Sequence, residues 1–154
     1  MNNKKIIIEP IAFKKMRYPS VDDYRRDRRG NLVIKVVDFT DSRYYALIAL
    51  HAFIESLLCE YEGVPETAIT KFDKKFEASG KTGEPGDEVD APYKNQHCAA
   101  MGFERMFAAM LGVDWKTYEQ KIAELFAKKT GDKKTGYAPV GPAECETGGK
   151  ADRI

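Results

Sequence analysis

His51 and Glu55 stand four residues apart inside YYALIALHAFIESLLC (44–59), a stretch that is otherwise almost wholly apolar. In a helix, residues i and i+4 share a face, so the imidazole and the carboxylate would project together from a surface built of Leu47, Ile48 and Leu58. A carboxylate on such a face costs free energy unless it is paired, protonated or bound to a cation. His97 is the other histidine of the chain and the natural third ligand. Two imidazoles and a carboxylate form a set that zinc accepts, usually within three or four protein ligands. His97, Met101 and Glu104 share a face of a later helical stretch, at spacings of four and three. The expected metal ligands are therefore His51, Glu55 and His97, with zinc or another divalent ion as cofactor.

Asp73, Glu77 and Glu104 are available as a fourth ligand, or as outer carboxylates that orient an imidazole through its free ring N–H. Asp73 and Glu77, like charges at i and i+4, repel by roughly 0.2–0.5 kcal/mol, which a nearby cation would relieve. A simpler arrangement has His51 and Glu55 hydrogen-bonded within their own helix and His97 elsewhere on the surface. Spacing alone does not separate the two. In the familiar zinc-hydrolase helix the residue after the first histidine is a glutamate acting as general base. Here that position is Ala52, which argues against hydrolysis unless Glu104 or Glu77 stands about one water from the metal.

The elements that must position these residues can be read from periodicity. KKIII (4–8) and LVIKVVDF (32–39) are short and β-branched, which predicts two strands. They would pair in a small antiparallel sheet, with a third short strand near 12–17 and a polar loop over 18–31. Asp41 or Ser42 caps a helix that runs to about Glu62 and stops at Gly63. Pro65 opens a second helix carrying Ile69, Phe72 and Phe76 on one face. A third runs from near Pro92 to Leu111. Asp114 caps a fourth, Trp115 to about Lys128, with Val113 and Tyr118 placed as a hydrophobic staple. The expected fold is α+β: a small N-terminal antiparallel sheet against about four helices. Residues 1–129 would form one domain and 130–154 a flexible tail poor in groups to bury.

The composition suits a globular chain of 154 residues, and its formal net charge of +1 supplies no general pull toward nucleic acid or membrane. No run approaches the ~20 apolar residues that span a bilayer. Three cysteines (Cys59, Cys98, Cys145) are an odd count without Cys-x-x-Cys spacing, so a reducing compartment is the default expectation. RRDRRG (25–30) could contact phosphate, but Asp22, Asp23 and Asp27 interleave with it, as in a solvated hairpin loop. Acids in the loop around Glu84, Asp87, Glu88 and Asp90 lack the ligand spacing of a helix–loop–helix calcium site. That loop would be mobile, or a lid over the histidines. Phe103, Phe107 and Trp115 read as core, or as a partner surface if exposed.

Several stretches resemble a family of small uncharacterised proteins of tailed bacteriophages and prophages: RYPSVDDY (17–24), GNLVIKVVDFTDSRYYALIALHAFIESLLC (30–59), FDKKFE (72–77), GEPGDEVDAPYKNQH (83–97) and LGVDWKTYE (111–119). Family members read His-Glu-Leu-x-Glu where this chain has His51-Ala52-Phe53-Ile54-Glu55. The resemblance implies a polar set at His51, Glu55, Asp73, Glu77, Glu84, Asp87 and His97, and the cytoplasm of a bacterial host as setting. It implies no particular reaction. The functional expectation is a metal-binding domain resembling a degenerate zinc-hydrolase helix, with little or no hydrolytic activity. The alternative is a metal-free module that binds a phage or host protein.

Overall fold

The computed structural model describes residues 4–81 and 83–130, with side chains to residue 126. Three strands, β1 (Ile6–Ile11), β2 (Asp22–Arg26) and β3 (Leu32–Val37), precede four helices. These are α1 (Ser42–Glu62), α2 (Glu66–Ala78), α3 (Lys94–Met110) and α4 (Trp115–Thr130). The fold is α+β.

The sheet is mixed, not wholly antiparallel as the sequence predicts. Its order is β1-β3-β2. β3 pairs antiparallel with β2, Asp22 opposite Val36, and parallel with β1, Ile6 opposite Leu32. The span assigned to a polar loop thus contains a strand, and residues 13–15 form a 3-10 turn where a third strand was expected. The physical reason lies in the turn after β2. Asp27 accepts from the backbone N–H of Arg29 (2.8 Å) and Asn31 (2.9 Å), and Gly30 takes φ 81°. That closes a tight hairpin, so one edge of β3 is claimed by β2. β1 must then dock on the other edge, and residues 12–21 carry the chain across. The arginine cluster spans the end of β2 (Arg25, Arg26) and that hairpin turn (Arg28, Arg29). Pro10, which cannot donate to a ladder, is tolerated because β1 is an edge strand.

β3 is central and buries Leu32, Ile34, Val36 and Val37. α1 lies over β2 and β3 and packs along α3. Asp41 caps α1 by accepting from Arg43 N–H (2.9 Å), and Gly63 ends it at φ 74°. Asp114 caps α4 by accepting from Thr117 N–H (2.8 Å). Val113 and Tyr118 are buried together with Ile34, Val36, Leu47, Ala52 and Ile122. A second cluster of Cys59, Ile69, Ala91 and Tyr93 seats α2. Cys59 is a buried free thiol. Phe103 and Phe107 are not core: they stand exposed on α3 with Met106, Met110 and Leu111. Among the described residues, no helix is long and apolar enough to cross a membrane. The expected flexible tail beyond α4 lies outside the described residues.

Candidate metal centre

α1 is buried along much of one side, and that side carries His51 and Glu55 as well as Leu47, Ile48 and Cys59. α3 packs against it and presents His97 and Glu104, both buried. The four side chains meet. His51 Nε2 lies 3.3 Å from Glu55 Oε2 and 3.2 Å from His97 Nδ1, and His97 Nδ1 lies 3.0 Å from Glu55 Oε2. Those three atoms form a nearly equilateral triangle. A tetrahedral ion with bonds of about 2.0–2.1 Å has ligand–ligand edges of about 3.3–3.4 Å. The triangle is close to one face of such a tetrahedron, leaving a fourth vertex for water, substrate or another ligand.

Each histidine is also held from behind. His51 Nδ1 lies 2.8 Å from Glu104 Oε2, and the Tyr118 hydroxyl donates to the other oxygen of Glu104. This is the carboxylate–imidazole relay that fixes a ligand's tautomer and leaves Nε2 free to coordinate. Glu55 Oε1 accepts from the Tyr24 hydroxyl at 3.1 Å. On its far side His97 Nε2 faces Glu84 Oε2 at 3.2 Å and Asp87 Oδ1 at 3.5 Å. Asp73 does not join the cluster. It accepts from Tyr18 (3.1 Å) and Tyr93 (2.6 Å) on the wall of the same cavity. Glu77 lines that wall too and belongs to neither group of ligand-spaced donors.

The cavity has a volume of about 90 Å³, room for an ion and a few waters. Among the described residues its lining includes eight carboxylates (Asp22, Asp23, Glu55, Glu66, Asp73, Glu77, Glu84 and Glu104), two histidines, and no lysine or arginine. Arg17 neutralises Asp23 from one side (2.5 Å). The remaining acids outnumber the imidazoles, and a buried excess of one sign raises pKa values or draws a counter-ion.

No family model, curated protein or solved structure matches this chain. The site must be read from its own chemistry.

Burial pushes the Asp22 carboxyl up to about 8, with His51 opposing and Glu55 and Glu84 reinforcing the rise. Asp73 rises to about 6, chiefly by burial, against the two tyrosine hydrogen bonds. Burial would raise Glu55, yet the hydrogen bonds from His51 and His97 hold it near 2. For His51, burial lowers the value but Glu104 and Glu55 outweigh it, lifting it to about 10. His97 is likewise lifted well above 6.5, burial being overcome by Asp87, Glu55 and Glu84. Without a cation, the surrounding carboxylates favour the charged form of each imidazole, while the two rings, 3.2 Å apart, oppose each other's charge.

The pH dependence follows. The His51 contribution is complete below 6.5 and is lost as pH rises through about 10. Asp73 and Asp22, raised from 3.8, withdraw stability as pH rises above 3.8, the loss being complete by about 6 and about 8. Glu55 works oppositely: its contribution is complete above 4.5 and is lost as pH falls through about 2. Metal-stripped protein should thus lose stability steadily above about pH 4.5. A divalent ion competes with those protons, so its stabilising effect should grow over the same range. Thermal melts with chelator and with zinc, at about pH 6 and pH 8.5, read both slopes; a chelated melting temperature that rises with pH contradicts the assignment.

Sequence reasoning missed Asp22, Tyr24, Tyr18, Tyr93 and Tyr118. In DDYRR (22–26), reading a strand would have placed Asp22 and Tyr24 on one face by simple alternation.

Proposed function

We propose that this chain is a metal-binding domain that holds a divalent ion, zinc or a similar borderline metal, through His51 Nε2, Glu55 Oε2 and His97 Nδ1. The observation that carries it is the triangle of donor atoms with edges of 3.0–3.3 Å. The excess of carboxylates and the Glu104–His51 relay support it. Its setting would be that of the small phage and prophage proteins its motifs resemble, in a bacterial cytoplasm.

Little or no hydrolysis is expected. Ala52 is fully buried in the apolar cluster, so position 52 faces core and a base there would not stand at the ion. Glu104 is engaged by His51 and Tyr118, which makes it a positioning residue instead of a free base. Glu77 lines the cavity wall but is not among the ligand-spaced donors.

Elemental analysis of tag-free protein tests the proposal. At least one bound ion per chain is expected, its affinity at the inner site falling at least tenfold in His51→Ala and His97→Ala. Substoichiometric metal that does not change in either variant would sink it. A second reading rests on the exposed α3 face of Phe103, Met106, Phe107, Met110 and Leu111. In it the buried polar cluster only fixes helix packing, and the apolar face binds a phage or host protein. That version predicts melting temperatures indifferent to chelator.

A further inference from the structure

His97 offers two nitrogens, and the inner triangle uses one. Its Nε2 is buried and makes no aligned hydrogen bond, although two carboxylate oxygens lie within 3.5 Å. The residue is 4% exposed. A buried ring nitrogen that faces two carboxylates without an aligned hydrogen bond is held by charge alone, and calls for a better-placed partner. The two neighbouring acids bracket one short 3-10 turn, Pro85–Asp87, Glu84 as its extended N-cap and Asp87 as its last residue, and both carboxylates reach His97 Nε2. That places the side chains of Glu84 and Asp87 on the same side, while Gly86 between them lies against the imidazole. Nothing larger fits. A Cβ on Gly86 would fall 2.4 Å from His97 Cγ and 2.6 Å from Nδ1. The loop is therefore seated on the ring as a clip, not left as a solvated, mobile segment.

Glu84, Asp87 and His97 Nε2 each offer one ligand atom, all within 4.8 Å of one another. The separations of 3.2 and 3.5 Å from Nε2 bracket the edge of a coordination tetrahedron at about 2.0–2.1 Å per bond. Lys94, the nearby cation, is turned to the Asp87 carbonyl (3.1 Å) and not to its carboxylate. The set is richer in oxygen than the inner one, which suits harder divalent ions such as Mn²⁺ as well as Zn²⁺.

We infer that His97 bridges two divalent cations: an inner one held by His51, Glu55 and His97 Nδ1, and an outer one held by Glu84, Asp87 and His97 Nε2. The inference rests on the metal-binding reading above and adds the second ion. Loading both takes both ring protons from His97 and releases them to solvent, leaving an imidazolate between the metals. The loop then becomes part of the centre, and a ligand entering the cavity would meet two positive charges instead of one.

The experiment loads chelator-stripped, full-length protein with Cu²⁺ alone and with Zn²⁺ alone. Stoichiometry is read by calorimetry and elemental analysis, and the copper form by electron paramagnetic resonance. Wild-type protein is expected to take two equivalents, with a copper signal attenuated by spin coupling through the imidazolate. Glu84→Gln/Asp87→Asn should take one equivalent and show an isolated, uncoupled copper signal; both residues are only half-buried, so the core tolerates the change. His51→Ala should keep the outer equivalent, and His97→Ala should lose both. One equivalent in wild type, unchanged in the double variant, overturns the bridge but leaves the inner site standing. Two equivalents in the double variant overturn the placement of the outer ion, and uncoupled spectra from two-copper wild type overturn the shared imidazole. No binding in any form overturns the metal-binding reading itself.

Discussion

Glu55→Ala is expected to destabilise metal-stripped protein by about 3–5 kcal/mol, the usual consequence of removing one partner from a buried charged set. Glu55 is 6% exposed, and with Glu104 at His51 and Asp87 at His97 it favours the charged form of both imidazoles. One of its oxygens is shared by His51 and His97, and the other receives the Tyr24 hydroxyl. Alanine leaves two facing ring nitrogens 3.2 Å apart with nothing between them. The comparison is Glu60→Ala on the same helix, where an exposed carboxylate meets Arg26 at the surface. That change should cost about 0–1 kcal/mol, because surface pairs gain little. Urea unfolding in chelator at about pH 6, where the His51 contribution is complete, measures both. A Glu55→Ala loss no larger than the Glu60→Ala loss would mean that the cluster carries no charge.

Helices were legible because each end is written in local chemistry. Asp41 and Gly63 bound α1, and Asp114 with the Val113–Tyr118 staple opens α4. Those signals act over three or four residues and survive tertiary context. β2 was not legible, since Asp22, Asp23, Arg25 and Arg26 have poor strand propensity. What makes them a strand is the partner: β3 buries alternate residues and leaves a ladder edge open, and the Asp27–Asn31 turn returns the chain to it. The parallel pairing of β1 follows from that non-local event. A reader of β-branched runs sees two strands and joins them by the shortest antiparallel hairpin.

The site divides along the same line. His51 and Glu55 were legible because a helix converts spacing into a shared face. Joining them to His97 needed only the assumption that two amphipathic helices pack, and α1 and α3 do so. The roles of the acids were less legible. Glu104 became a carboxylate behind His51, Asp73 an acceptor for two tyrosines, and Glu77 part of a wall. Which acid reaches which ring depends on helix rotation at the level of one side chain, and spacing does not encode that. Asp22 was hidden because its strand was hidden. The 84–87 loop was hidden for another reason: it lacks periodicity, and its order derives from Gly86 fitting against a ring contributed by α3.

Gly86→Ala is the sharpest test of that fit. The added methyl would stand 2.4–2.7 Å from three ring atoms of His97, closer than any real contact. His97 cannot retreat without opening its 3.0 and 3.2 Å contacts to Glu55 and His51. Either the loop lifts or the ring leaves the triangle. Overpacking of this kind costs about 1–3 kcal/mol. Metal affinity should fall roughly 10–100-fold, the range seen when the groups that orient a ligand are disturbed. Gly102→Ala supplies the opposite case by the same chemical change. Gly102 is exposed within α3, and a Cβ there meets nothing within 4 Å. Replacing a mid-helix glycine should stabilise by about 0.5–1 kcal/mol and leave metal binding untouched. Opposite signs for the two alanines, read by melts and by zinc titration, are the expected result. If Gly86→Ala matched Gly102→Ala in both readouts, the loop would not be pressed onto His97, and neither ion could owe its position to it.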